Sequence, residues 1–311
     1  MRAYELHGVN DLRREDIEKP EIPSGWVLVQ VKASGICSSD IPRIFTNGTY
    51  HFPTIPGHEF SGVVAAYGEG VPEERVGKRV GIFPLIPCRT CPQCRQKKYE
   101  MCEHYDYLGS RRDGGFAEYC AVPASQVYKV ADSLSFEQAA MTEPVSCCLH
   151  GIELCNIKCG ATVMVIGCGM IGLIMLQLAR LSGAANIIAI EPIKEKREQA
   201  LKLGADIALD PKADNITEAL KKQGLEQVDV VIECVGRPET IEQAIALAGK
   251  YSTVMMFGLT KPDAEISVKP FEIFKKEITL KSSYINPYTF PAAIKLIESG
   301  KLDVSSMIYK T

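Results

Sequence analysis

Residues 167 to 172 read Gly167-Cys168-Gly169-Met170-Ile171-Gly172, a complete G-x-G-x-x-G. The β-branched run TVMVI precedes it and the apolar run MIGLIMLQLARL overlaps and follows it. In that context three closely spaced glycines have a physical role. Gly167 makes a tight turn, Gly169 lets a bulky anion approach the backbone, and Gly172 lets the helix sit close against the strand. The helix N-terminus then offers unpaired N–H groups and a positive dipole end to phosphates. Residues 161 to 176, ATVMVIGCGMIGLIML, are uncharged and approach membrane-spanning length. Glycines in the middle, with Gln177 and Arg180 closing the run, favour a buried strand, a turn and a buried helix instead.

Around this motif β-type and helical runs alternate. TVMVIG is followed by MIGLIMLQLARL, NIIAIE by KEKREQALKLG, DVVIECVG by ETIEQAIALAG, and then comes TVMMFG. This alternation predicts a doubly wound parallel sheet with helices on both faces, over 148–281. Residues 1–147 read differently. WVLVQVKASGI, GVVAAYG, KRVGIF and EYCAVPA are short β-prone runs separated by Gly and Pro, which predicts a β-rich domain. A chain of 311 residues also exceeds what one core usually supports. With 35 Lys+Arg against 38 Asp+Glu and no basic block, the composition argues against nucleic-acid or anionic-membrane partners.

The strand NIIAI ends at Glu191, nineteen residues after Gly172. An acid there accepts hydrogen bonds from ribose hydroxyls and repels a 2′-phosphate, so NAD is expected over NADP, although Lys194 and Lys196 lie nearby. Gly167, Gly169, Met170, Ile171, Gly172 and Glu191, with Val235 in the turn after DVVIE, form the expected cofactor site.

The N-terminus has no apolar leader run, so a cytoplasmic chain with reduced thiols is expected. Four of the twelve cysteines crowd together: Cys88, Cys91, Cys94 and Cys102 form C-x2-C-x2-C-x7-C. Four thiolates match the closed tetrahedral shell of a structural zinc, and the lobe 88–102 is too small to build its own core. The C-x2-C-x2-C part also fits an iron–sulfur spacing. A second set is dispersed: Cys37 in SGICSSD, His58 and Glu59 in GHEFSG, and Glu143 in MTEPVSCCLHG. A thiolate, an imidazole and a carboxylate suit a catalytic zinc with one open position. No spacing rule links them, and each alone reads equally well as a core or surface residue.

GHEFSGVVAAYG, the four-cysteine lobe and the glycine motif, in that order, resemble the zinc-containing medium-chain dehydrogenases along essentially the whole chain. TEPVSCCLHG resembles their polyol branch. CSSDIPRIFTNGTYHFPTIPGHEFSG and YDYLGSRRDGGFAEY resemble the galactitol-1-phosphate and arabitol-phosphate dehydrogenases. The segment FGLTKPDAEISVKPFEIFKKEITLKSSYINPYTF also resembles the sugar-alcohol and sugar-alcohol-phosphate dehydrogenases. The resemblance implies a GroES-like catalytic domain, a Rossmann domain, two zinc ions per chain and NAD. It implies that Cys37 and His58 ligate the catalytic metal, that Glu59 and Glu143 share the remaining positions, and that Ser39 relays a proton. Manganese or cobalt could take the carboxylate-containing site. Pro42 departs from the family, many of whose members place an outer-relay histidine there.

The expected substrate is a polyol or polyol phosphate, with Arg43, Arg111 and Arg112 as candidate phosphate contacts because a guanidinium fork matches phosphate geometry. The alternatives are an L-threonine-type or small secondary alcohol and, in another class, a non-catalytic NAD-binding redox sensor. The family is usually dimeric or tetrameric, and 254–260 is the expected pairing segment. Residues 282–311 return toward the first domain and look truncated relative to the family, so an uncovered edge or open groove is expected near 300–311.

Overall fold

A computed structural model describes residues 1–309 and divides them into two compact units, Met1–Ser146 with the segment from Asn286 on, and Cys147–Ile285. The divisions expected at 147 and 281 fall one and four residues away.

The first unit is β-rich. In chain order it holds β1 (Arg2–Gly8), β2 (Asp11–Asp16), β3 (Trp26–Gly35), α1 (Asp40–Pro42), β4 (Glu59–Tyr67), β5 (Arg79–Ile82), β6 (Leu85–Ile86), α2 (Pro92–Arg95), β7 (Asp106–Tyr107), β8 (Tyr119–Pro123), β9 (Val127–Lys129) and α3 (Phe136–Ala140). Five strands form one antiparallel sheet in the order β8-β3-β4-β5-β9, while β1 and β2 make a separate hairpin. Alternate apolar side chains of these strands, including Val27, Val29, Phe60, Val64, Val80, Ile82 and Val122, make the core. β3 and β4 approach so closely at Gly62 that a Cβ there would lie 2.0 Å from the Gln30 carbonyl oxygen.

The helix α4 (Thr142–Cys155) follows, and the second unit continues with β10 (Thr162–Ile166), α5 (Met170–Leu181), β11 (Asn186–Ile190), α6 (Lys194–Lys202), β12 (Ile207–Leu209), α7 (Ile216–Lys222), β13 (Val230–Glu233), α8 (Pro238–Leu247), β14 (Thr253–Met256), α9 (Pro270–Lys276) and β15 (Thr279–Ser282). The strands are all parallel, in the order β12-β11-β10-β13-β14-β15. This is the doubly wound topology, whose strand order reverses beside β10. All five residues of β10 are buried, as a strand covered on both faces requires. The uncharged run 161–176 is therefore β10, a turn and the start of α5, and among the described residues no helix is long and apolar enough to cross a membrane.

Two expectations about edges need correction. The segment 254–260 begins inside β14, which lies between β13 and β15, so it cannot pair with another sheet edge. The free edges of this sheet are β12 and β15. Near the C-terminus, α10 (Phe290–Glu298) buries Phe290, Ala293, Ile294 and Ile297, an i, i+3, i+4, i+7 stripe. Leu302, Val304 and Met307 beyond it are buried as well, so the described residues 300–309 do not form the expected open edge, and 310–311 lie outside the described residues. An open groove exists elsewhere in this unit. β8 covers β3 only along residues 26–30. Beyond that point a cavity of about 630 Å³ is lined by Tyr4, Leu12, Val31, Ser34, Ile36 and Phe116.

Candidate functional site

His58 and Glu59 stand where the chain enters β4, and Cys37 follows the end of β3. The antiparallel register sets Gly35 opposite Glu59, which draws the thiol toward the imidazole and the carboxylate. One ligand atom from each of Cys37, His58 and Glu59 lies within 4.8 Å of the others. The absence of a side chain at Gly35 makes room for this. A Cβ there would sit 2.3 Å from Glu59 Oε2. His58 and Glu59 are buried. Glu143, at the start of α4, lies outside this tight group. Its Oε1 accepts a hydrogen bond of 3.1 Å from the Tyr107 hydroxyl, and the Tyr107 ring lies 5.8 Å from that of His58.

The electrostatics of this pocket favour a cation. Burial alone would push the His58 imidazole down, but its approach to Asp40 and Cys37 and the charge of Glu143 hold it well above its ordinary value. Glu59 is pushed up to about 7, by burial first and by the charge of Glu143 second. His58 Nδ1 is buried without a well-formed hydrogen bond, since Asp40 Oδ1 is 3.4 Å away and poorly aligned. A thiol, an imidazole and a carboxylate crowded by other anions are, once deprotonated by a bound metal, the donor set of an open zinc site with three protein ligands. The residues present fit a divalent metal.

Asp40 is a residue the sequence reading missed. It is fully buried, accepts a 3.0 Å hydrogen bond from the Cys37 backbone N–H, and accepts one of 3.3 Å from Arg43 Nη1. A buried carboxylate must be paired, and here it anchors the loop carrying Cys37. Its only sequence signal was an acid three residues before an arginine in CSSDIPR. Ser39 donates to Cys37 Sγ at 3.2 Å and accepts from Arg43 Nη1 at 2.9 Å.

The other candidate phosphate arginines are differently engaged. Arg112 bonds the Asp106 carboxylate. The Arg111 guanidinium lies between the rings of Tyr50 and Tyr105, 3.9 and 4.3 Å from their centroids.

The lobe 88–102 brings its four sulfurs together with no disulfide. Cys88 and Cys94 are 4.0 Å apart, as are Cys91 and Cys102. Zinc–sulfur bonds of about 2.3 Å set tetrahedral sulfur pairs roughly 3.8 Å apart, so the cage is the right size. Backbone N–H groups of Thr90 and Cys91 point at Cys88 Sγ, and that of Cys94 points at Cys91 Sγ. These contacts, with the Thr90 hydroxyl foremost, lower the Cys88 thiol to about 5, whereas burial pushes Cys94 up to about 12. The donor chemistry fits a closed structural zinc.

In the other unit, Gly167 has φ of +89°, which only glycine adopts freely. A Cβ on Gly172 would lie 1.8 Å from the Gly167 carbonyl oxygen. Open space surrounds the Cβ position of Gly169, as a cradle for a phosphate requires. Met170 and Ile171 open α5, and Glu191 is buried beside the turn. The Glu191 carboxylate accepts hydrogen bonds from Cys168 N–H at 2.8 Å and Ile193 N–H at 3.0 Å. Val235 approaches the same turn, its Cγ2 being 2.5 Å from where a Gly167 Cβ would stand. This architecture fits a dinucleotide.

The family model for the alcohol dehydrogenase GroES-like domain matches residues 23–132, and that for zinc-binding dehydrogenases matches 171–299. The chain is 35% identical over 293 residues to galactitol 1-phosphate 5-dehydrogenase of Escherichia coli K12, covering 91% of this chain and 84% of that one. It is 33% identical to (R,R)-butanediol dehydrogenase of Bacillus subtilis, covering 100% and 92%. A Sinorhizobium meliloti structure described as a zinc-binding dehydrogenase bound to NADP superposes with a TM-score of 0.95 at 36% identity, covering 98% and 90%. The order of the glycine motif, the four-cysteine cage and the Cys–His–Glu cluster thus has the same meaning in both kinds of observation: the chain belongs to the zinc-binding, medium-chain alcohol dehydrogenases and is an oxidoreductase of alcohols.

Proposed function

We propose that this protein oxidises a secondary alcohol of a polyol, or of a polyol phosphate, to a ketone with NAD as the hydride acceptor. The observation that carries the reading is the convergence of Cys37, His58 and Glu59 beside the Ser39 hydroxyl. Those three residues would hold a zinc ion, and Glu143, whose charge acts on both His58 and Glu59, would be the further carboxylate at the site. When bound, zinc supplies Lewis-acid polarisation of the substrate oxygen and the nicotinamide accepts hydride. Ser39 Oγ is the group suited to receive the substrate's proton. Arg43 holds that oxygen from its other side, yet guanidinium stays protonated and cannot relay the proton onward. With Pro42 at the outer-relay position, the onward acceptor would be water or, with the cofactor bound, a ribose hydroxyl. Buried Asp40 fixes the whole loop.

The cofactor would lie over Gly167, Gly169 and Gly172, with its ribose toward Glu191. The buried carboxylate supports NAD, whereas the Sinorhizobium relative was solved with NADP. Comparing kcat/KM for the two cofactors decides between them. Glu191→Ala should weaken NAD and relatively favour NADP. An unchanged ratio would remove Glu191 from the ribose site.

For a phosphorylated substrate, Arg43 is the best placed of the three, because it bonds Ser39 beside the Cys37 thiol, although it also pairs with Asp40. Arg43→Ala should cost the phosphorylated polyol about tenfold or more beyond its effect on the free polyol. Equal losses would restrict Arg43 to orienting Ser39. A homo-oligomer would form through β15, whose exposed edge lies near exposed Phe271, Phe274 and Leu280 in the chain. The expected compartment is the cytoplasm, where the thiols of both metal sites stay reduced.

A further inference from the structure

A third group of metal-binding side chains lies in the first unit, on the β1–β2 hairpin, and neither the alcohol chemistry nor the cysteine cage uses it. One ligand atom from each of Glu5, His7 and Glu15 lies within 4.8 Å of the others. The placement follows from the strand repeat. Ala3, Glu5 and His7 alternate along β1 and share one face, and the antiparallel register pairs Ala3 with Glu15. Glu15 is therefore on the same face as Glu5 and His7. Its Oε2 is 2.7 Å from His7 Nε2, and Glu5 Oε2 is 3.8 Å from the same nitrogen. All three residues are half-buried.

Hydrogen bonds within the group satisfy it only while a proton is held between the two carboxylates. A single imidazole N–H serves one good acceptor, and Glu15 takes it. Glu5 is left at a distance too long for a hydrogen bond to that nitrogen, against a second carboxylate. Burial, and then the hydrogen bond it shares with Glu15, raise the Glu5 carboxyl above its ordinary range. Two carboxylates and one imidazole nitrogen aimed at one point share either a proton or a cation. The neighbouring cation, Arg13, acts on Glu15 only as the least of the influences that lower it. Arg13, opposite Glu5 in the register, is bonded to both oxygens of Asp11, and Asp113 adds a further negative charge near Glu5.

We infer that Glu5, His7 and Glu15 form an accessory divalent-cation site, of the zinc class, that ties the two strands of the N-terminal hairpin together. One nitrogen and two oxygens suit zinc, manganese, cobalt or nickel better than calcium or magnesium, which seek all-oxygen shells. With bonds near 2.1 Å, the donors around such an ion stand roughly 3.0–3.4 Å apart. The present separations of 2.7 and 3.8 Å bracket that range and need only side-chain adjustments. Three protein ligands leave room for water, so the ion is exchangeable, unlike one held by four buried thiolates. The site lies on residues outside the Cys37–His58–Glu59 cluster and the four-cysteine lobe, so its test is independent of the proposed reaction.

The experiment is calorimetric titration of zinc-replete protein with zinc chloride, for wild type, His7→Ala, Glu15→Gln and Glu5→Gln. Wild type should take up one further ion per chain. His7→Ala should lose it, and each glutamine variant should bind it at least about tenfold more weakly. Zinc should also raise the Tm of wild type and not that of His7→Ala. Should the alanine variant fold poorly, the two glutamine variants keep side-chain volume and carry the comparison. If wild type takes up no further ion, or if the variants bind it as wild type does, the site is a hydrogen-bonded His–Glu pair and the proposal is overturned.

Discussion

Cys37 occupies a position that nothing else in the cluster can replace. Its thiol approaches His58 and Glu59 and accepts from Ser39, and serine offers zinc a far poorer ligand than thiolate. Cys37→Ser should abolish alcohol oxidation while dinucleotide affinity, measured by fluorescence titration, stays near wild type, since the glycine turn lies in the other unit. Near-native turnover would remove Cys37 from the metal. Asp40→Ala should leave the Cys37 N–H without its acceptor and Arg43 Nη1 with Ser39 Oγ alone. By analogy with other carboxylates behind metal ligands, it should lower metal affinity or kcat by about 10–100-fold. Gly172 is constrained more simply. An alanine methyl would lie 1.8 Å from a carbonyl oxygen, so Gly172→Ala should move α5 off β10 and abolish dinucleotide binding. A variant that still binds the cofactor tightly would mean the turn relaxes more easily than its packing implies.

At the scale of elements, the cysteine lobe and α3 hold their places by different means. The lobe has a cluster of only Cys91, Cys94 and Cys102 at its centre, flanked by Cys88, Tyr99 and Tyr105. A bound metal would substitute for a hydrophobic core here, since a structural zinc contributes about 10 kcal/mol or more in isolated finger peptides. Cys91→Ala should therefore reduce folding yield or thermal stability more than it changes kcat of the folded fraction. Full stability with that metal absent would rule out the structural role. Helix α3 depends on local hydrogen bonds. Ser135 accepts from Gln138 N–H at 3.1 Å, and the Gln138 side chain accepts from Ser135 N–H at 2.8 Å. This capping box satisfies two end donors. Ser135→Ala should cost about 1 kcal/mol in denaturant unfolding with activity unchanged.

At the scale of the molecule, each unit has its own apolar core. One is built on Val27, Phe60 and Ile82 and the other on Met164, Ile188, Val231 and Val254. Both candidate zinc sites belong to the first unit. Chelating the metals should therefore lower a first melting transition and leave the second, dinucleotide-stabilised transition in place, breaking two-state behaviour. A single transition shifted as a whole by chelation would show that the two units unfold as one.

The sequence by itself determined whatever depends on neighbours along the chain. The β-branched strand, the three-glycine turn and the apolar helix lie within twenty-one residues, Ala161 to Leu181, and strand and helix periods are local. The four cysteines of the lobe span fifteen residues, so their convergence was legible from ligand spacing. Long-range pairing was not. The hairpin β1–β2 and the edge strand β15 are short or half-exposed and carry little apolar alternation, so 254–260 was mistaken for the sheet edge. Asp40 was missed, because only the folded loop shows that it is fully buried against Cys37 and Arg43. Glu5 and His7 lie eight or more residues from Glu15 in the chain and meet only when the hairpin closes. Spacing along a chain encodes turns and helix faces. Which distant side chains share a few cubic ångströms is decided by sheet register and by the burial that register enforces.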